Sequence, residues 1–167
     1  LGLTVFVDLI MAVAIGLIVS GFITARWNEG EELKGVTVSS KNQTATGLST
    51  EEQAALQSAA DDALLVQLSG RLSYASTRSM IHETSTRIAK PECRKVVFDL
   101  TQVDRLDTSA ALGLEELMNI AKETNTTCFI CGLSGDAERE LRDLKIMEKL
   151  SPSEVVTERL QALRQLS

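Results

Sequence analysis

Apolar residues follow two patterns along this chain. From Leu1 to Ala25 they run almost without interruption, filling 18 of 25 positions with Asp8 as the single charge. A helix of that length rises about 37 Å, more than the roughly 30 Å of a bilayer's hydrocarbon core, so residues 1–25 are predicted to form a transmembrane helix. Past Ala63 short apolar runs alternate with helical stripes. Ala63–Ser69, closed by Gly70, predicts a buried strand, and Lys95–Leu100 and Thr126–Cys131 predict two more. Between them, Ser76–Ala89 carries Met80, Ile81, Thr84 and Ile88 on one helical face and stops before Pro91. Ser109–Glu123 carries Leu114, Leu117, Met118 and Ala121 inward, with Glu115, Glu116 and Lys122 outward. Asp136–Leu144 and Ser153–Leu166 predict further helices, the last through Val156, Leu160 and Leu163. Strands separated by helices of this length call for parallel pairing, and the fold class expected is α/β.

The stretch between these regimes, residues 26–62, has three basic and seven acidic side chains. Thr37–Gly47 is polar and predicts a flexible connector, and Ser49-Thr50-Glu51-Glu52 predicts a capping box ahead of a short helix ending near Ala60. The expected divisions are therefore a transmembrane helix over 1–25, a linker over 26–62 and a sheet domain over 63–167.

Composition alone hides this division. Over 167 residues the chain is 44% hydrophobic, 24% charged and 4% aromatic, with a net charge of −6. Outside the first 25 residues the hydrophobic share falls to about 39%, ordinary for a globular domain. The charge divides into −1 for the span, −4 for the linker and −1 for the domain. No basic face suits a nucleic-acid partner, and no electrostatic membrane patch stands out in the domain.

Asp8 is the polar candidate within the apolar segment. Asp8, Ala12, Gly16, Ser20 and Thr24 recur every four residues, a small or polar stripe that lets a neighbouring helix approach. The stripe predicts a multi-helix bundle; the alternative is that Asp8 caps or snorkels near one end. A start at Leu1, without Met and inside an apolar run, leads us to expect the C-terminal piece of a larger membrane protein.

Candidate chemistry is sparse, and the chain is not expected to be an enzyme. His82 stands alone in an amphipathic helix, and no metal site is expected. Cys128 and Cys131 form a C-x-x-C, but an odd spacing on a strand sends their side chains to opposite faces, so reduced structural thiols are expected, with Cys93 unpaired. Gly132-Leu133-Ser134-Gly135 precedes a helix but lacks the Lys-Ser/Thr of a phosphate loop. The suggestive site is Asp104-Arg105-Leu106-Asp107-Thr108-Ser109, between the strongest strand and the strongest helix. Asp107 or Thr108 serves as a helix N-cap there, and a hydroxyl beside a carboxylate at that position is also a phosphoacceptor candidate.

The residues of this region resemble a known family. Asp99-Leu100-Thr101, Val103 and Leu106 through Leu117 are similar to the signature of the STAS domain, shared by sulfate-permease-type transporters and bacterial anti-sigma-factor antagonists. Gly70-Arg71-Leu72-Ser73-Tyr74-Ala75 resembles the transporters' Gly-Pro-Leu-x-Phe turn, and Gly132-Leu133-Ser134 with Leu141 and Leu144 their third strand and helix. Leu3 through Ile10, with Ala12 and Val13, resembles the last membrane segments of SulP anion transporters, most of all the cyanobacterial sodium-dependent bicarbonate transporters.

This resemblance implies a STAS-like sheet with helices packed on it, preceded by one transmembrane helix, at the C-terminal end of a secondary-active inorganic anion transporter for bicarbonate or sulfate. It implies a multi-pass protein of the cell inner membrane, residues 26–167 cytoplasmic, acting as a homodimer, with a regulatory or dimer-supporting domain open to a cytoplasmic regulatory protein. Sodium is the implied coupling ion, and no cofactor is expected. The family match places Ser109 at the position phosphorylated in the antagonists. The alternative is a membrane-tethered STAS switch controlled by phosphorylation. Arg71 stands where many transporters have Pro, and Ala110 where the antagonists usually have Gly.

Overall fold

The computed structural model describes residues 9–20, 35–41, 43 and 45–167. Asp8 and both ends of the predicted membrane segment lie outside the described residues. Residues 9–20 are helical (α1), and the large apolar side chains from Leu9 to Val19 stand 49–70% exposed. Among the described residues no helix is long and apolar enough to cross a membrane.

The rest is a five-stranded sheet in the order β1-β2-β3-β4-β5. Its strands are β1 (Val36–Ser39), β2 (Ala63–Leu72), β3 (Lys95–Leu106), β4 (Thr127–Cys131) and β5 (Val155–Val156). The helices are α2 (Thr50–Ser58), α3 (Tyr74–Ile88), α4 (Thr108–Glu123), α5 (Gly135–Asp143) and α6 (Arg159–Arg164), with a 3-10 turn at Ile146–Lys149. Strands β2 to β5 run parallel, as the strand–helix alternation predicts, and β1 adds an antiparallel edge.

Strand alternation sorts the side chains into two layers. Val66, Leu68, Val96, Phe98, Leu100, Cys128 and Ile130 face α3, α4 and α5, in a core closed by Met80, Leu114, Leu117 and Leu141. Ala63, Leu65, Val97 and Cys131 face the other way, against Leu56 of α2 and Ala162 and Leu163 of α6. Cys128 and Cys131 therefore occupy opposite cores, as their spacing requires. The α3–α4 packing is close because position 113 is glycine: a Cβ there would collide with Thr77 Cγ2 and lie 3.2 Å from Met80 Cε.

Two expectations are corrected. Residues 37–39, read as part of a flexible connector, belong to strand β1, in register from Val36 opposite Leu68 to Ser39 opposite Leu65. Four residues are too few for a visible period, and pairing to an exposed β2 edge decides their conformation. Ser153–Leu166 is not one helix. Val156 belongs to β5 and pairs with Cys131, so only the Leu160–Leu163 part of the stripe is helical. A two-residue strand satisfies the open edge of β4 and overrides a periodicity carried by three residues.

Candidate functional site

The β3–α4 turn is built by immediate succession of strand and helix. Leu106 is buried at the strand end, and Asp107 N–H donates to Leu72 O at 3.1 Å, carrying the β2–β3 ladder one step past it. Asp107 keeps an extended backbone (φ −87°, ψ 167°), and its Oδ1 accepts from Ala110 N–H at 2.8 Å. It is therefore the N-cap of α4, with Thr108 and Ser109 in the first turn.

Thr108 Oγ1 donates to Glu140 Oε1 at 2.6 Å, tying the start of α4 to α5. Ser109 is half-buried, and its hydroxyl makes no hydrogen bond among the described residues. The structure thus gives the three consecutive candidates different situations: Asp107 caps, Thr108 bridges, and Ser109 is unengaged. Glu140, which sequence reasoning missed, is the partner brought to them. A phosphate on Ser109 would meet the positive end of the helix dipole, opposed by the Asp107 and Glu140 carboxylates.

The neighbouring Gly132–Gly135 turn has a structural cause. Gly132 has φ +71°, and a Cβ there would run into the backbone of Thr101. Ser134 precedes α5 without a side-chain cap, and Asp136 and Glu138 occupy its first turn, which disfavours an anion. His82 is exposed on α3. Among the described residues no group of three or more His, Cys, Asp and Glu could hold a metal ion. All three cysteines are buried and unpaired, and burial pushes the Cys128 thiol up to about 12 and those of Cys93 and Cys131 upward as well. Such thiols are poor nucleophiles. At the opposite end of the sheet a cleft of about 480 Å³ mixes Asp61, Asp62 and Glu92 with Arg87 and Lys90.

A second polar constellation lies on the α2–α6 face. Asp99, 2% exposed in the middle of β3, faces Arg159, whose Nη1 is 3.3 Å from Asp99 Oδ2. Arg159 also donates from Nε to Glu52 Oε1 at 2.8 Å and from Nη2 to Glu52 Oε2 and Gly47 O, each at 3.0 Å. The same Glu52 accepts Ser49 N–H at 2.7 Å to complete the predicted capping box of α2. The donated Arg159 hydrogen bonds hold the Glu52 carboxyl below the ordinary carboxylate range. Thr101, through its N–H and hydroxyl, and Cys131, through its thiol, donate to Asp99 Oδ1. One guanidinium thus joins α6, the central strand, α2 and the loop before it. A carboxylate inside the apolar run KVVFDL signalled a buried partner, but nothing in the sequence pointed to Arg159.

The sequence profile of the STAS domain matches residues 56–159, which contain the whole β3–α4 turn. Two relatives match almost the full chain. One is the bicarbonate transporter BicA of Synechocystis sp., 32% identical over 162 residues. The other is BicA of Picosynechococcus sp., 31% identical over 163 residues. Each match covers 97% of this chain and 28% of the relative, so the chain spans just over a quarter of their length. Among solved structures, the unphosphorylated anti-sigma factor antagonist SpoIIAA aligns with a TM-score of 0.47 at 11% identity, over 58% of this chain and 81% of that one.

Proposed function

The chain belongs to the STAS domain family, and from that membership we propose that it is the C-terminal part of a SulP-type secondary anion transporter. In this reading residues 1–25 supply the last membrane helix, and residues 26–167 lie in the cytoplasm. The domain regulates transport or supports a homodimer and performs no enzymatic step. One observation carries the proposal. Likeness to two bicarbonate transporters extends over 97% of the chain, well outside residues 56–159, through the connector and into the apolar segment. A STAS module borrowed for another purpose would share the domain and not its surroundings.

Bicarbonate is the proposed substrate and sodium the coupling ion of the full-length protein. Uptake of labelled bicarbonate by cells expressing that protein, with sulfate as competitor and with sodium omitted, tests both. Uptake that follows sulfate and ignores bicarbonate overturns the substrate, and sodium-independent uptake overturns the coupling. A second reading, a membrane-tethered switch controlled by phosphorylation, draws on Ser109, whose half-buried hydroxyl is unengaged among the described residues beside the Asp107 cap. Transport activity of the full-length protein excludes it as the primary role.

A further inference from the structure

Beyond the end of β4, strands β2 and β3 continue as a two-stranded ribbon, residues 69–72 against 102–106. Leu72 and Leu106 pair and are buried toward α3 and α4. The preceding pair, Arg71 and Arg105, sits in register one step back and points to the uncovered side. Both arginines are exposed, and neither has an ion-pair partner among the described residues. Like charges facing each other on adjacent strands repel. The charges nearby in sequence are exposed Asp104 and half-buried Asp107, which is engaged as a cap, and exposed Arg78 on α3. Arg71 and Arg105 lie 34 positions apart, so the domain's near-neutral charge conceals what strand register assembles.

Two further features mark the same end of the sheet. Tyr74, 72% exposed, opens α3 directly after the ribbon, and Leu112, 48% exposed, stands beside the Thr77–Gly113 crossing of α3 and α4. Gly35, where the described fold begins, packs against the ribbon, since a Cβ there would lie 2.8 Å from Ser69 O and 3.4 Å from Leu72 Cδ2. Fifteen residue steps separate it from residue 20 of the apolar helix, a reach of at most about 50 Å. The chain therefore enters the described fold beside the ribbon.

We propose that the ribbon face bearing Arg71 and Arg105 docks on the anionic lipid headgroups of the membrane. The inference rests on the proposal that residues 1–25 are membrane-embedded. Neutralisation by phosphate headgroups removes the repulsion between the paired arginines.

The test uses the full 167-residue chain in lipid nanodiscs. A fluorophore is placed at exposed Gln102→Cys on the ribbon, the native thiols being buried. Quenching by headgroup-quencher lipid is compared in discs of phosphatidylcholine alone and of phosphatidylcholine with phosphatidylglycerol. Quenching is expected to rise about two-fold or more with the anionic lipid. It should return to the phosphatidylcholine level in about 0.5 M salt and in Arg71→Glu/Arg105→Glu. Arg71→Gln/Arg105→Gln, with circular dichroism as the folding check, should give an intermediate value. Equal quenching in both lipids, or indifference to charge reversal, overturns the docking surface. Co-migration of chain and disc in both lipids reads the membrane anchor separately: its loss overturns the transmembrane reading, whereas an anchored chain with a lipid-indifferent label overturns the docking alone.

Discussion

Arg159 Nε lies 2.8 Å from Glu52 Oε1, joining two residues 107 positions apart, so that the C-terminal helix holds the segment preceding β2. Both side chains are only 13% exposed, and the guanidinium reaches Asp99 as well. Arg159→Met leaves two carboxylates without their cation. Its expected cost is about 3–5 kcal/mol, read as a lower urea midpoint with an unchanged slope. Arg159→Lys, which keeps the charge and loses the two-pronged geometry, should fall between. A loss for Arg159→Met within about 0.5 kcal/mol contradicts the assigned role.

The same pair predicts a pH dependence. Hydrogen bonds from Arg159 depress the folded-state affinity of the Glu52 carboxyl for a proton. A depressed carboxylate contributes stability above its unfolded-state value and loses it as pH falls through the folded-state value. Glu52→Gln should therefore be less stable than the parent chain at pH 7. The gap should narrow below about pH 4. Thermal melts across that range check the sign, and a gap constant from neutral to acid would show that Glu52 contributes through shape alone.

The strongly periodic parts of the chain announced themselves. Residues 109–123 put Leu114, Leu117, Met118 and Ala121 on one face, and the helix lies where that stripe indicates. KVVFDL is the start of β3, which runs six residues further because Val103 and Leu106 are buried in the same core while the polar residues between them face out. What stayed illegible depends on long-range pairing. Val36–Ser39 alternates apolar and polar residues over only four positions, too short to decide, and is a strand because β2 offers an edge. Val156 reads as helical until β4 is placed beside it. At the candidate turn, the Asp107 cap was legible because capping is local, whereas Glu140, 32 residues from Thr108, was not.

Gly113 sets the distance between α3 and α4. Alanine gains up to about 1 kcal/mol in helix propensity. Its Cβ would also collide with Thr77 Cγ2, an overpacking that costs about 1–3 kcal/mol. Gly113→Ala should thus be net destabilising. Thr77→Ser removes the colliding methyl and keeps the hydroxyl that donates to Ser73 O at 2.8 Å. The double variant should recover most of the lost stability in a denaturation cycle, and strictly additive losses would rule out the contact.

Burial of the three cysteines predicts inert thiols. With Cys128 near 12 and Cys131 raised by burial too, native thiolate is scarce at pH 8. Ellman's reagent should label the folded domain only at the rate of its opening, and three thiols should react together in urea. Rapid native labelling of one thiol would identify a reactive cysteine.

The last prediction separates capping from regulation at the β3–α4 turn. Asp107 accepts a hydrogen bond from Ala110 N–H, so Asp107→Ala should cost about 1 kcal/mol. Ser109 makes no hydrogen bond among the described residues, so Ser109→Ala should stay within about 0.5 kcal/mol of the parent. Ser109→Glu adds a negative charge to the first turn of α4, worth about 0.3–1 kcal/mol from the helix dipole and opposed by Asp107 and Glu140. Its stability should therefore also change little. Stability is thus expected to be nearly blind to Ser109, so an effect of these substitutions on function does not come from unfolding. Under the proposed transport function, anion uptake by the full-length protein carrying Ser109→Glu, measured beside Ser109→Ala, is then a clean readout. Uptake that shifts with Glu and not with Ala assigns the turn a phosphate-sensitive control role. Uptake unchanged by either substitution leaves capping by Asp107 and the Thr108–Glu140 bridge as the whole purpose of these residues.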